Sequence, residues 1–244
     1  MENLYLDQIP KSFKLGFLSR DSYGANGVVY RTSNPDVLYK ELDYFTEGDQ
    51  AHENRYKMLQ KCQSDSIVFP TQLVFVKKGD KYVLKGYLMP LIKGQILKET
   101  PRSIVTDTYI KAVEYVDKDI KEQTINGLSL EDVNYKNIMF TTDNQIKLID
   151  TDLYDFSYPE NPRDLLIENL KEINPSLLMY VFPEFYLNTG SKAIDDMYYE
   201  ARTQGTWFAH KVLTEIKTYL ENISGQEMTT VNAMQKTLAL VRKK

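Results

Sequence analysis

The chain has 244 residues, 42% of them hydrophobic, enough for a sizeable core in one domain of two lobes. Asp and Glu outnumber Lys and Arg by 34 to 30, a net charge of −4 that argues against a polyanion-binding surface, and no aromatic–basic interleaving points to nucleic acid. Cys62 is the single cysteine, which precludes an internal disulfide and fits a reducing compartment, and no apolar run approaches the ~18–20 residues of a bilayer span. The opening Met1-Glu2-Asn3 lacks the basic-then-apolar design of a signal peptide, so a cytoplasmic location without a membrane partner is expected.

The first patterned segment, 22–30, reads Ser-Tyr-Gly-Ala-Asn-Gly-Val-Val-Tyr. It predicts a glycine-containing hairpin in which Gly24 and Gly27 leave bare backbone, with no Cβ in the way of a close approach. After the Asn34-Pro35-Asp36 turn, Val37-Leu38-Tyr39-Lys40 predicts a strand ending in lysine. The segment QAHENRYKMLQKC then reads as a helix that buries Tyr56 and Leu59 and aims Glu53 toward a sheet, while Glu47 sits beside Gly48 in a loop as a competing glutamate. Residues 71–77 and 81–92 read as two strands across the Lys78-Gly79-Asp80 turn, the second ending in Leu88-Met89-Pro90-Leu91-Ile92. Apolar groups at Tyr109, Ile110, Val113, Val116 and Ile120 predict an amphipathic helix over 107–122.

The most informative segment follows: LSLEDVNYKNIMFTTDNQIKLID. Asp132 precedes Asn137 by five residues, and Asn137 precedes Asp150 by thirteen, with two apolar runs and a polar turn between them. Two short strands joined by a turn would bring the three side chains to one edge of a hairpin. Carboxylate, amide and carboxylate there suit one general base and two oxygen ligands for Mg²⁺ beside a phosphate. Beyond Asp150, the stretch 157–175 carries Pro159, Pro162 and Pro175, and 195–220 and 230–242 read as helices, with Trp207, Phe208, Val212, Leu213 and Ile216 in the core. His52 and His210 are the only histidines, too far apart in sequence for a readable zinc cluster, and no G-x-S-x-G elbow marks a serine hydrolase.

In order, these segments resemble the protein kinase-like superfamily. Gly24, Gly27 and Val29 stand where G-x-G-x-x-G-x-V has its later glycines and its valine, with Ser22 in the first glycine's place. Val37-Leu38-Tyr39-Lys40 is similar to V-A-I-K, Asp132-x-x-x-x-Asn137 to the catalytic loop, and Asp150-Thr151-Asp152 to D-F-G. The histidine, arginine, phenylalanine and glycine of those motifs are absent. The resemblance implies an α+β, two-lobed fold: an N-terminal antiparallel sheet plus helix over 1–92, and a reduced, mainly helical C-terminal lobe over 93–244. It implies ATP and Mg²⁺ as cofactors. Lys40 would clamp the phosphates and Glu53 would fix Lys40. Met89 stands at the gatekeeper place, Pro90–Ile92 at the hinge that meets adenine, and Met139 joins the nucleotide-contacting set. Asp132 would orient or deprotonate the acceptor hydroxyl, and Asn137 and Asp150 would hold the metal.

Less of the resemblance survives after Asp150. Phe182-Pro183-Glu184 stands where A-P-E would be, and Asp196 where an aspartate opens a central buried helix. Asp152 is expected to face solvent. Glu131 replaces the arginine that reads an activation-loop phosphate, so no phosphate switch of that kind is expected. Three functions remain open: a protein kinase acting on Ser, Thr or Tyr; a small-molecule kinase with an aminoglycoside-like or choline-like acceptor; and a nucleotide-binding pseudokinase that regulates a partner.

Overall fold

The computed structural model describes residues 2–18, 23–24, 27–43 and 49–242. Ser22, Glu47 and the basic pair at 243–244 lie outside the described residues. The architecture is α+β, with a mixed sheet and six α-helices, and the chain divides into two compact units, Met1–Lys93 and Gly94–Lys244.

In the first unit β1 (Leu4–Leu6), β2 (Gly16–Phe17), β3 (Tyr23–Gly24), β4 (Gly27–Arg31), β5 (Val37–Leu42), β6 (Gln72–Lys78) and β7 (Lys81–Pro90) form one sheet. Its order is β1-β6-β7-β5-β4-β2, with β3 paired to β4. Every pairing is antiparallel except one, because β1 runs parallel to β6 with Leu4 opposite Val74. The expected antiparallel sheet is therefore corrected to a mixed one. β1 lies seventy residues upstream of its partner in sequence, and a parallel edge pairing needs no local turn that sequence pattern could reveal.

The helix α1 (Gln50–Leu59) is inserted between β5 and β6. Asp49 caps it, its side chain accepting from the Ala51 and His52 N–H groups. Tyr56 and Leu59 are buried, as their spacing predicted, and the Tyr56 ring meets Tyr87 of β7 at 5.7 Å. On the other side of the sheet Tyr39 is fully buried between Phe13 and Tyr30. Gly27 is sterically required: a Cβ there would collide with the Glu41 carbonyl across the β4–β5 ladder.

The second unit begins with β8 (Gly94–Ile96) and α2 (Thr106–Ile125), followed by β9 (Leu128–Ser129), β10 (Ile138–Thr141), β11 (Ile146–Leu148) and β12 (Asp155–Phe156). Then come α3 (Pro162–Val181), α4 (Lys192–Thr203), α5 (Ala209–Ser224) and α6 (Val231–Val241). β8, β10 and β11 form a small antiparallel sheet, and β12 pairs with β9. Val113, Val116 and Ile120 of α2 are fully buried with Ile173 and Leu177 of α3 and Val212, Leu213 and Ile216 of α5. No helix among the described residues is long and apolar enough to cross a membrane.

The proline-bearing stretch 157–175 is mostly helix, since Asn161 caps α3, Pro162 occupies its first turn, where no N–H is needed, and Pro175 is carried inside it. One expectation fails here for an identifiable reason. The predicted helix over 195–220 is two helices, broken at Gly205, whose φ is +63°.

Candidate functional site

In the first unit, Lys40 lies in the middle of β5, opposite Val29 of β4 on one side and Tyr87 of β7 on the other. Directly opposed residues share a face of the sheet, so Lys40, Val29 and Tyr87 line the face that α1 covers through Tyr56. Leu38, two residues back on that face, is opposite Met89, and both are buried. Lys40 itself is only 5% exposed, which is unusual for lysine and marks it off from a solvated strand-edge charge. Gly24 and Gly27 pair with each other across β3 and β4, so the glycine segment is a hairpin that ends beside Val28 and Val29.

Glu53 projects from the part-buried side of α1. Its carboxylate takes the ammonium of Lys57 one turn on, an i,i+4 ion pair. At the C-terminal end of β7, Pro90 opposes Val37, and the Leu91 N–H donates to the Asp36 carbonyl at 2.8 Å. Among the described residues no acceptor takes the Ile92 N–H.

In the second unit the spacing argument holds geometrically. β10 and β11 pair with Ile138 opposite Leu148, and the ladder continues with the Ile149 N–H donating to the Asn137 carbonyl at 2.9 Å. Asn137 and Asp150 consequently stand at the same open end of the hairpin. At its closed end Asn144 takes a left-handed φ of +62°, and the Thr141 hydroxyl accepts from the Gln145 N–H while donating to Asp143. The Thr141 bond is the main cause that holds the Asp143 carboxyl below its usual value.

Asp132 joins that open end through amide bonds. The Asn137 Nδ2 donates to the Asp132 carbonyl at 3.0 Å, and the Asn134 Nδ2 donates to the Asp132 Oδ1 at 3.1 Å. Asp132 has a φ of +54°, left-handed backbone that aspartate adopts more readily than most residues. Since Asn137 spends its amide nitrogen on the loop, its amide oxygen faces elsewhere, and it has no protein partner among the described residues. Two hard oxygens, from Asn137 and Asp150, match what Mg²⁺ usually takes from protein when phosphates complete its shell. No group of three or more His, Cys, Asp or Glu gathers as a metal site among the described residues. Met139 is half-buried on β10, opposite Lys147 and Ile96.

The sequence reading missed the groups that hold this loop. Asn169 of α3 is buried; its Oδ1 accepts from the Leu130 N–H at 2.8 Å, and its Nδ2 donates to the Leu128 carbonyl and the Thr124 hydroxyl. Ser176 on the same helix donates to the Val133 carbonyl. Glu172 lies between them in sequence, and the Val133 N–H steadies its carboxylate. Burial and the like charges of Glu131, Asp132 and Glu168 still raise the Glu172 carboxyl above its usual value. Tyr154, in the turn after Asp150, is 1% exposed; burial first, then the charges of Asp150, Asp132 and Glu172, push its phenol far up. A helical stripe of 169, 172, 173 and 176 was the available signal, but the prolines at 162 and 175 concealed it.

Asp152 is buried at 2% exposure, which corrects the expectation that it faces solvent. Asp196 opens no helix: it is exposed within α4 and bonded to Lys192. The Glu184 carboxylate pairs with Arg242, while the Glu184 carbonyl accepts from Tyr198.

No family model matches the chain, and a search of curated proteins finds no match.

Proposed function

We propose that the chain is a Mg²⁺-dependent phosphotransferase of the protein kinase-like fold, moving the γ-phosphoryl group of ATP to a hydroxyl of a protein. The observation that carries this reading is the convergence of Asp132, Asn137 and Asp150 at one end of the β10–β11 hairpin. Support comes also from the buried Lys40 on the α1-covered face, and from the run β2-β4-β5-β7-β6 with one helix inserted after β5. The glycine hairpin, gatekeeper and hinge follow the order the resemblance requires.

In this reading Lys40 draws charge from the α- and β-phosphates, and backbone N–H groups around Gly24 and Gly27 approach them without a Cβ in between. The Ile92 N–H is an available donor for adenine. Mg²⁺, held by Asn137 and Asp150, would neutralise phosphate charge. Asp132 orients the acceptor hydroxyl and receives its proton as that oxygen bonds to phosphorus and the bond to ADP breaks. Positioning and charge neutralisation supply most of the rate, so losing one of these groups removes orders of magnitude.

One observation favours a second reading, a nucleotide-binding module that regulates a partner. Glu53, the expected counter-ion of Lys40, is bonded to Lys57. Mass spectrometry of the purified chain after incubation with ATP·Mg²⁺, alongside acceptor screens, separates the two. Phosphate on its own Ser, Thr or Tyr residues, absent in Asp132→Ala, supports transfer. Stabilisation by ATP·Mg²⁺ without transfer to any protein or small alcohol supports the module instead.

A further inference from the structure

A cleft of about 580 Å³ opens in the first unit, between the C-terminal end of α1 and the starts of β1 and β6. Lys57, Gln60, Lys61 and Gln63 line it from the last turn of α1 and the residues after it, Asn3 from before β1 and Thr71 from before β6. The volume is that of a small-molecule site, but all the lining residues are polar, so the cleft selects a polar ligand. Charge narrows the choice. No Asp or Glu among the described residues lines the cleft, and two ammonium groups on one cleft repel. Glu53 neutralises Lys57, whereas the exposed Lys61 ammonium has no partner among the described residues. One positive charge is left over for an anion.

The neutral groups of the lining add a second, independent requirement. The Gln60 Nε2 donates to the Thr71 carbonyl at 3.2 Å, which ties the helix end to the strand and leaves the Gln60 Oε1 as an acceptor without a partner among the described residues. The Asn3 Oδ1 accepts from the Leu73 N–H, and the Asn3 Nδ2 is left as a donor without one. The Thr71 hydroxyl donates to the Leu88 carbonyl at 2.9 Å and keeps its lone pairs. A bare oxyanion has no proton to give to Gln60 or Thr71. Hydroxyl groups both donate and accept, so an anion that carries them answers every open group at once.

We propose that this cleft binds a phosphorylated polyhydroxy small molecule, with its phosphate on Lys61 beside Lys57 and its hydroxyls among Asn3, Gln60 and Thr71. Lysine serves here as a point charge for phosphate, and the amides set the preference for an ester over the free ion. The cleft uses none of Lys40, Asp132, Asn137 or Asp150, so the proposal goes beyond the phosphotransferase reading and does not rest on it.

The test titrates the isotopically labelled full chain, without nucleotide, with glycerol 3-phosphate and glucose 6-phosphate. Glycerol, glucose and inorganic phosphate serve as the counterparts that lack the charge or the hydroxyls. At least one ester is expected to shift the amide signals of Asn3, residues 60–63 and Thr71, with a Kd at least about tenfold below those of its neutral counterpart and of phosphate. Lys61→Gln, an exposed change that leaves the Lys57–Glu53 pair in place, should raise that Kd about tenfold with the melting temperature unchanged, and Lys61→Arg should keep the binding. Ester and phosphate binding equally would reduce the cleft to a simple anion contact and overturn the proposal. So would shifts confined to residues 24–29 or 137–150, an affinity that Lys61→Gln leaves unchanged, or no response to either ester.

Discussion

Asp132 combines a left-handed φ of +54° with two amide bonds from Asn134 and Asn137. Asparagine tolerates that backbone as well as aspartate does, so Asp132→Asn preserves the loop and removes only the proton acceptor. The expected outcome is phosphoryl transfer reduced by roughly a thousandfold or more with the melting temperature nearly unchanged, read by paired rate and calorimetric measurements. A variant that retains near-full transfer would remove Asp132 from the proposed mechanism. The positions of Asp132, Asn137 and Asp150 were legible because hairpin geometry follows directly from strand–turn–strand spacing. Tyr154 was not, since a tyrosine two residues past Asp152 carries no periodic signal and its burial depends on α3. The burial of Asp152 escaped for the same reason.

α3 is the element that fixes the proposed catalytic loop. Asn169 makes three hydrogen bonds to residues 124–130 from a buried position, and truncation would strand the Leu130 N–H and the Leu128 carbonyl. Asn169→Ala is expected to cost about 3 kcal/mol of stability in chemical denaturation, because unpaired buried groups lose their bond and stay desolvated. A loss under about 0.5 kcal/mol would mean that the loop is held elsewhere. The hydrophobic period of α2 gave its place in advance, whereas α3 was obscured by prolines that its first turn and interior accommodate. Strand β1 was likewise unreadable, since its pairing to β6 is long-range.

Besides the Lys217–Asp107 ion pair at 3.2 Å, α2 and α5 are joined by a buried polar contact: Asp117 accepts from the His210 backbone N–H at 2.9 Å and meets its Nδ1 at 2.7 Å. Burial raises the Asp117 carboxyl above its ordinary value, the His210 bonds only partly opposing it. A folded value raised above the unfolded one contributes stability fully at low pH and loses it as pH rises through the raised value. Asp117→Asn keeps an acceptor for His210 and does not titrate. Its melting temperature should therefore fall less than the wild type's as pH rises from about 4, the ordinary carboxylate range, toward neutrality. Parallel curves for the two proteins would count against this account.

At the scale of the molecule, each unit has a core of its own: Tyr39, Leu59, Leu73 and Tyr87 in the first, the α2–α3–α5 cluster in the second. Leu213→Ala, at a fully buried site in α5, should cost about 2–5 kcal/mol. Hydrogen exchange should then accelerate through α2, α3 and α5, with the strands β4 to β7 unchanged. Faster exchange in both units would instead indicate a single cooperative body. The division into a sheet-rich and a helix-rich half was legible from the order of the patterned segments and the resemblance they carry. What the sequence could not convey was which helix holds the loop, because that depends on packing between segments forty residues apart.

The clamp on that loop is an uncharged carboxamide, where an aspartate would have carried a formal charge. Added electrolyte does not screen such a clasp, and acid does not dismantle it. Ionic strength and proton concentration would thus bear on the charged side chains of the loop, while the segment that carries them stays anchored throughout.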